Sequence, residues 1–174
     1  MPVLIIGTYD KDGTPNAMNA AWGGIYDYNK IMICLSAHNT TANIRRNKCF
    51  TIAFGTKETV AQSDYVGLVS KNNEPDKIKK AGLHAIKGSK VNAPIFTEYP
   101  LTLELEVSEV MNEGEGGGNF VGEIVNISAD ESILVNDKID FSKAHFISYE
   151  PSTHKYVELG NEVGQAFKEG LKLK

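Results

Sequence analysis

The clearest repeating pattern in the chain is a period-two alternation that runs from Leu101 to Ser108. The apolar set is Leu101, Leu103, Leu105 and Val107, and the polar set is Thr102, Glu104, Glu106 and Ser108. Because successive side chains of a strand point to opposite faces, the pattern predicts a β-strand with one buried and one solvated face. Such strands are typical of antiparallel sheets, which constrains the architecture of the whole chain.

Several other segments also read as strands joined by turns. The run Val3 to Tyr9 is followed by the turn residues Asp10 to Gly13, and Asn16 to Trp22 is predicted to return antiparallel as a hairpin. Further strands are predicted at Ile31 to Ser36, Phe50 to Phe54, Phe120 to Ile127 and His145 to Tyr149. A parallel sheet would need a helix between each pair of strands. The expected fold class is therefore mainly β (α+β), an antiparallel barrel with short peripheral helices.

The remaining segments predict short helices and one flexible loop. The helices are expected at Thr41 to Asn47 with Asn39 or Thr40 as the cap, at Val60 to Ser70, and at Pro75 to Ala81 with Gly82 at its end. In the tail, Asn161 to Leu171 places Val163, Phe167 and Leu171 four apart, which predicts a helix docked on the barrel or on a second subunit. The four glycines of Glu113 to Gly118 predict a flexible hairpin loop near a pocket mouth.

Composition and charge narrow the class of protein. A chain of 174 residues with 41% hydrophobic and 23% charged residues fits one globular domain over residues 1–174. A net charge of −4 argues against nucleic acid as the main partner. Cys34 and Cys49 are too few for a disulfide framework and are expected to be reduced. With no secretory signal and no membrane-length apolar run, the expected location is the cytoplasm.

Two segments have the composition of a ligand site. In Asn16 to Trp22 and the following Gly23 and Gly24, small residues let the backbone approach a flat ring, and Trp22 can wall the pocket. Ser36 to Asn43 leads into a helix whose N-terminus, with the hydroxyls of Thr40 and Thr41, suits a phosphate. A planar ring and a phosphate are the ligand chemistry that this pairing predicts.

Each of these residues also has an ordinary structural interpretation. Trp22 fits a core or interface aromatic, and Asn16 and Asn19 fit outward positions of a strand. Ser36, Thr40 and Thr41 fit helix caps. The lysine cluster fits a solvated helix face and consists of Lys71, Lys77, Lys79 and Lys80. The four histidines have no metal-ligand spacing and no serine lies in a nucleophile elbow, so neither a metal site nor a hydrolase is predicted.

Over nearly its whole length the chain resembles the flavin reductase-like family of FMN-binding split-barrel proteins, and within it the flavoredoxin-like proteins. The resemblance is carried by Pro2-Val3 through Gly7-Thr8, Asn16 to Trp22 with Gly23-Gly24, Ser36 with Asn43-Ile44, Asp64 to Gly67 with Ser70, Asp76-Lys77 with Ala81-Gly82, Ala93-Pro94, Gly122 to Ile124, and Tyr156 with Leu159-Gly160 and Gly164. It implies a Greek-key split β-barrel.

The resemblance also implies a set of FMN-binding residues. The ring-contacting strand falls on Asn16, Met18, Asn19, Ala20 and Trp22, and the phosphate or ribityl contacts fall on Ser36, Thr40, Thr41 and Asn43. Ser70 and Lys77 close the site, and Lys77 or Lys71 would stabilise negative charge on a reduced flavin. Two positions depart from the family: Gly116 to Asn119 where relatives often carry a histidine, and Lys71 where they often carry a glycine.

Three functions follow from this resemblance. The first is an NAD(P)H-dependent FMN oxidoreductase that passes electrons onward, in which the flavin carries the chemistry and no side chain is catalytic. The second is a flavoredoxin-type FMN electron carrier, reduced by a partner protein and not by NADH or NADPH. The third is a split-barrel binding module without flavin. A homodimer is expected, with neither nucleic acid nor membrane as a partner.

Overall fold

The computed structural model describes all 174 residues and is dominated by antiparallel strands. In chain order the strands are β1 Leu4–Tyr9, β2 Pro15–Ala20, β3 Gly23–Asp27, β4 Lys30–Leu35, β5 Cys49–Phe54, β6 Ala85–Lys87, β7 Pro94–Phe96, β8 Leu101–Met111, β9 Gly118–Ala129, β10 Leu134–Val135, β11 Lys138–Ile139, β12 Ile147–Glu150 and β13 Lys155–Glu158. The helices are α1 Asn39–Asn47, α2 Val60–Leu68, α3 Lys77–Lys80 and α4 Phe141–Ala144, with 3₁₀ turns at Glu131–Ile133 and Glu169–Leu173.

One seven-stranded sheet forms the body of the fold. Its strand order is β2-β1-β5-β8-β9-β4-β3, and every neighbouring pair is antiparallel. Three two-stranded ribbons pair β6 with β7, β10 with β11 and β12 with β13. The expected mainly β split-barrel fold with a few short helices is thus confirmed, including the β1–β2 hairpin across the turn at Asp10 to Gly13.

The sheet is covered on both faces near β1, which explains the continuous apolar run in the sequence. Leu4 and Ile6 point into the barrel core with Phe50 and Phe120. Val3 and Ile5 point the other way, into a second core. Burial on both faces favours an unbroken apolar run over an alternating one. The second core attaches α2 and α3 to the sheet and so fixes the segments beside β2.

The alternation in β8 was expected to leave one face wet, and this expectation is wrong for its first half. Thr102 and Glu104 are buried, and Glu104 is fully inaccessible. Its carboxylate accepts hydrogen bonds from the backbone N–H groups of Lys90 and Val91 and from the side chains of Ser89 and Asn126. Burial alone would raise the pKa of Glu104, but these bonds lower it to about 2. A loop folds over this face and replaces water with its own donors.

Three helix expectations also need correction. Helix α1 begins at Asn39 with His38 as its N-cap, so Asn39 and Thr40 are inside the helix and do not cap it. Helix α2 ends at Leu68, before Ser70, and α3 covers only Lys77–Lys80 and not Pro75 to Ala81. The turn residues 70–76 precede α3, and Gly82 follows it with a φ of +68°, a conformation that glycine adopts without strain.

The helix predicted at Asn161 to Leu171 is absent. The segment is irregular up to the 3₁₀ turn at Glu169–Leu173, and Val163 and Phe167 are fully exposed. A stripe of three apolar residues forms a stable helix only against a surface that covers it, and Gly164 and Gly170 lower the helix propensity further. None of the helices has the length and hydropathy needed to cross a membrane. One domain over residues 1–174 stays a prediction.

Candidate functional site

A polar cavity of about 270 Å³ lies between β2, the start of α1 and the segment that follows α2. We call it the main cavity. Seven of the twelve predicted site residues line it: Asn16, Met18, Asn19, Thr40, Ser70, Lys71 and Lys77. The other lining residues are His38, Asn39 and Val66 to Val69. The structure therefore brings together side chains that are far apart in the sequence, as a ligand site requires.

Lys77 is the buried cation of the main cavity. Its side chain extends from the start of α3, and the residue is only 3% exposed. Its Nζ donates to the carbonyl oxygen of Val69 at 2.7 Å, and no carboxylate lies within ion-pair distance. Burial lowers the pKa of Lys77 to about 8. An ammonium held this way has donors left for an anionic or carbonyl-bearing ligand.

Lys71 lines the same cavity, but its ammonium is already paired. Its Nζ lies 2.8 Å from Asp10 Oδ2 and donates to Thr14 Oγ1 at 2.5 Å and to the carbonyl of Pro15 at 2.9 Å. These three acceptors match the three donors of an ammonium group. The predicted role of Lys71 in stabilising charge on a ligand would thus require it to leave Asp10.

Asp10 ties three parts of the site together. Besides Lys71, it accepts hydrogen bonds from Asn39 at 2.8 Å and Asn43 at 2.6 Å, both on α1. Burial raises the pKa of Asp10, but the bonds from Lys71, Asn43 and Asn39 outweigh it and hold the pKa below its usual value. The hairpin turn, α1 and the segment after α2 are therefore joined around one carboxylate.

Asn16 carries an unsatisfied acceptor at the main cavity. It is 1% exposed, and its Nδ2 donates to Thr40 Oγ1 at 3.0 Å. Its Oδ1 is buried and has no hydrogen-bond partner. Because a buried unpaired carbonyl costs free energy, this atom fits a ligand that supplies a donor. The hydroxyl groups of a ribityl chain, or a ring N–H, are donors of that kind.

Asn19 of β2 is held by residues of α2 and β13. Its Nδ2 donates to the carbonyl oxygen of Ser63 at 3.0 Å and to Tyr156 Oη at 3.3 Å. Tyr156 in turn donates to Asp64 Oδ1 at 2.8 Å. Burial and this hydrogen bond to Asp64 raise the pKa of Tyr156 to about 12. The phenol thus stays protonated at neutral pH.

A second cavity adjoins the main cavity beyond Asn19. We call it the tyrosine cavity; it has a volume of about 410 Å³ and is lined by Asn19, Ala21, Asp64, Gly67, Leu68, Tyr149, His154 and Tyr156. Asn19, Gly67 and Leu68 line both cavities. The two cavities therefore lie side by side along β2, and together we call them the groove.

Three predicted residues line none of these cavities. Ala20 lies in the barrel core. The hydroxyl of Thr41 accepts from the backbone N–H of His38 and donates to its carbonyl, which closes the first turn of α1. Asn43 donates to Asp10 and to Thr8. Thr41 and Asn43 are 1% exposed, so the structure gives them internal partners.

Trp22 and Ser36 lie apart from the main cavity. They line a third one of about 590 Å³, the tryptophan cavity, together with Cys34 and the glycine-rich hairpin loop. Trp22 is 60% exposed. The loop connects β8 to β9 as expected, and Arg45 of α1 holds it by donating to the carbonyl of Gly117 and pairing with Glu113. Trp22 and Ser36 thus lie on the same face of the protein, but neither lines the main cavity.

Three residues in or beside the groove were not predicted as site residues: Asp64 and Tyr149, which line the tyrosine cavity, and Asp10, which bonds to residues of the main cavity. Asp10 was assigned only to turn chemistry, because its partners are brought to it by tertiary folding. Asp64 and Tyr156 appeared only as carriers of the family resemblance. Tyr149 and Tyr156 are direct cross-strand neighbours, a pairing that needs the register of β12 and β13. No local pattern predicts that register.

Comparisons with known proteins find a family model and solved structures that this chain is similar to. Residues 1–145 match the family described as flavin reductase like domain. The structure is similar to flavoredoxin of Desulfovibrio vulgaris (Miyazaki F), with a TM-score of 0.90 and 34% identity over 97% of this chain and 92% of that one. It is also similar to flavoredoxin from Methanosarcina acetivorans, with a TM-score of 0.89 and 30% identity over 100% of this chain and 92% of that one.

A relative in sequence is an uncharacterized protein of Aeropyrum pernix, 25% identical over 118 residues. The match covers 66% of this chain but 45% of that protein, so the chain spans less than half the length of this relative. The family match covers most of the chain, and the two flavoredoxin structures superpose along nearly all of it. The chain belongs to the flavin reductase-like domain family.

Proposed function

We propose that the protein is an FMN-binding oxidoreductase that takes electrons from NADH or NADPH onto the flavin and passes them onward. The observation that carries the proposal is the pair of uncommitted polar groups in the main cavity. Lys77 offers a buried ammonium, and Asn16 offers a buried acceptor without a donor. FMN has anionic and carbonyl groups for the first and ribityl hydroxyls for the second, so the residues present fit it.

The side chains of the groove have distinct tasks in this proposal. Lys77 opposes negative charge that collects on the ligand, and Asn16 and Thr40 meet its hydroxyl groups. Asp10 and Lys71 hold the walls of the cavity in place. The bound flavin supplies the electron-transfer chemistry, while the chain supplies position and charge. No side chain of the groove is required to act as a nucleophile.

The proposal that a nicotinamide nucleotide, NADH or NADPH, is the electron donor rests on the open geometry of the groove. Gly67 and Leu68, at the boundary of the main and tyrosine cavities, are exposed, and Leu68 is 74% exposed. Hydride transfer requires a nicotinamide to stack against one face of a flavin, which an open groove permits. Mixing the FMN-loaded protein anaerobically with each nucleotide tests this step. Bleaching of the flavin absorbance supports a reductase, and an unchanged spectrum contradicts it.

A second candidate is an FMN electron carrier that a partner protein reduces. It is favoured by the similarity to two flavoredoxins at 30% identity or more along nearly the whole chain. The carrier predicts tight FMN binding and chemical reduction by dithionite, but no bleaching by NADH or NADPH. Absence of flavin binding under all conditions would leave only the binding module without flavin.

We also propose that the protein is a homodimer. The edge strand β3 exposes Ile25, which is 90% exposed. Tyr28, in the turn directly after β3, is 102% exposed, and Trp22 lies directly before the strand. An edge strand with large exposed apolar side chains needs a cover in solution. A second copy of this chain is the simplest cover, because the same patch is present on it. The exposed Val163 and Phe167 of the tail are further candidates for that contact.

A further inference from the structure

The carboxamide of Asn19 has one free polar atom. Both donors of Nδ2 are used, by the carbonyl of Ser63 at 3.0 Å and by Tyr156 Oη at 3.3 Å. Oδ1 accepts no hydrogen bond from the chain, although Asn19 lines both the main cavity and the tyrosine cavity. The side of Asn19 available to a ligand is therefore an acceptor.

The orientation of this carboxamide follows from the groups behind it. The Ser63 carbonyl can only accept, so it selects the nitrogen of Asn19. The carboxylate of Asp64 also only accepts, so Tyr156 gives its single hydrogen to Asp64 at 2.8 Å. Tyr156 Oη is then left as an acceptor toward Asn19. The direction of each hydrogen bond in the chain from Asp64 to Asn19 is thus fixed.

The position of Asn19 is restricted as well as its orientation. A Cβ atom at Gly67 would come within 3.0 Å of Asn19 Cβ, so α2 packs against this side chain without space for a methyl group. Asn19 also pairs with Ile5 of β1 in the register of the sheet. Backbone register, helix packing and two hydrogen bonds therefore act on the same side chain.

We propose that Asp64 and Tyr156 are positioning residues that present Asn19 Oδ1 to the ligand and so select a ring edge carrying an N–H donor. The inference rests on the proposed function, because it assigns that edge to the isoalloxazine of FMN. Oxidised isoalloxazine carries a single N–H, at N3, whereas its other edge heteroatoms are acceptors. The chain from Asp64 to Asn19 then selects the N3 edge and disfavours rings that lack this hydrogen.

The test compares the affinities of FMN and 3-methyl-FMN, in which a methyl group replaces the N3 hydrogen. The parent protein is expected to prefer FMN. Tyr156→Phe removes one of the two acceptors that hold Nδ2, so the preference should fall roughly three- to tenfold. In Asp64→Asn the new amide can donate to Tyr156 Oη, so the tyrosine hydrogen is free to point toward Asn19 and compete with the Nδ2 donor. This variant should therefore also lower the preference for FMN.

Tyr65→Phe is the matched control. It removes a hydroxyl from another tyrosine that packs against the same core as Tyr156, but Tyr65 lines neither the main cavity nor the tyrosine cavity. Its preference should equal that of the parent. Equal affinities of the parent for both flavins, or a Tyr156→Phe variant that loses affinity for both by the same factor, would overturn the inference while FMN binding stands. A parent that binds neither flavin would overturn the proposed function itself.

Discussion

Lys71 Nζ lies 2.8 Å from Asp10 Oδ2, whereas Lys77, in the same cavity, has a carbonyl oxygen as its partner and no carboxylate. Two lysines six positions apart in the sequence thus differ in what they can do. Lys71 closes an internal ion pair that is mostly shielded from solvent. Lys77 keeps donors for a ligand, and this difference is the basis of the first prediction.

Lys77→Met is expected to weaken FMN binding by roughly ten- to a hundredfold, because a charge-assisted hydrogen bond contributes about 1.5–3 kcal/mol. It should also lower the flavin reduction potential, since a cation favours the more negative reduced flavin. Fluorescence titration and potentiometry measure the two effects. Lys71→Met is the control and should mainly reduce thermal stability. Equal losses of affinity in both variants would contradict the division of roles between the two lysines.

The pKa of Lys77 predicts how FMN binding depends on pH. Because burial lowers this pKa from 10.5 to about 8, the free protein loses the ammonium charge as the pH rises past that value. An anionic ligand favours the charged form, so the affinity for FMN should fall as the pH increases above about 8. Lys77→Met should bind FMN weakly with no such decline. If the parent protein binds FMN with the same affinity from neutral to alkaline pH, Lys77 is not the cation that contacts the ligand.

The same pKa predicts a separate effect on stability without FMN. Between the folded value of about 8 and the unfolded value near 10.5, the unfolded chain binds more protons than the folded one. The free energy of unfolding should therefore rise with pH across this window, and the destabilising effect of burying a charged lysine is fully present below it. Denaturant unfolding of the apoprotein at several alkaline pH values measures the slope. In Lys77→Met the slope should be smaller.

Glu104 predicts a slope of the same sign at acid pH, where the free energy of unfolding should also rise as the pH increases. Its pKa is lowered from 4.5 to about 2, so its stabilising contribution is fully present above the unfolded value and is lost as the pH falls through the folded one. Glu104→Gln should destabilise the protein by roughly 1–3 kcal/mol at neutral pH and flatten the acid unfolding curve. Glu106→Gln, at an exposed position of the same strand, is the control and should change little. Identical acid curves for parent and Glu104→Gln would refute the assignment.

Ile25→Lys is expected to disrupt the proposed homodimer. Ile25 is 90% exposed on the edge strand β3, so a lysine there causes no strain in the folded monomer but places a charge in an apolar contact. Sedimentation velocity should change from a dimer to a monomer. Val135→Lys, on the separate β10–β11 ribbon, should leave the dimer intact. A parent protein that sediments as a monomer would contradict the proposed homodimer.

The strands could be predicted from sequence because their signals are local. The turn residues at Asp10 to Gly13 and the apolar run before them determine the first hairpin without reference to the rest of the chain. The wet face expected of Glu104 was wrong because burial there depends on a loop from residues 88–93. The tail helix was wrong because its apolar stripe has no surface in this chain to cover it.

The site was predictable as a region and less so as a set of contacts. Asn16, Asn19, Thr40 and Lys77 converge on the main cavity, although they belong to different elements of the fold. The sequence gives no means to distinguish Lys71 from Lys77, because the pairing depends on where Asp10 lies in three dimensions. For the same reason it did not separate Trp22 and Ser36 from the residues of the main cavity.

The central claim is that the groove built on Lys77, Asn16 and Asn19 binds FMN. The most direct measurement is a fluorescence titration of the flavin-stripped protein with FMN and, in parallel, with riboflavin, which lacks the phosphate. We expect saturable binding of FMN, weakened more by Lys77→Met than by Lys71→Met. A parent protein that binds no FMN, or one whose affinity is the same after Lys77→Met, would contradict the account.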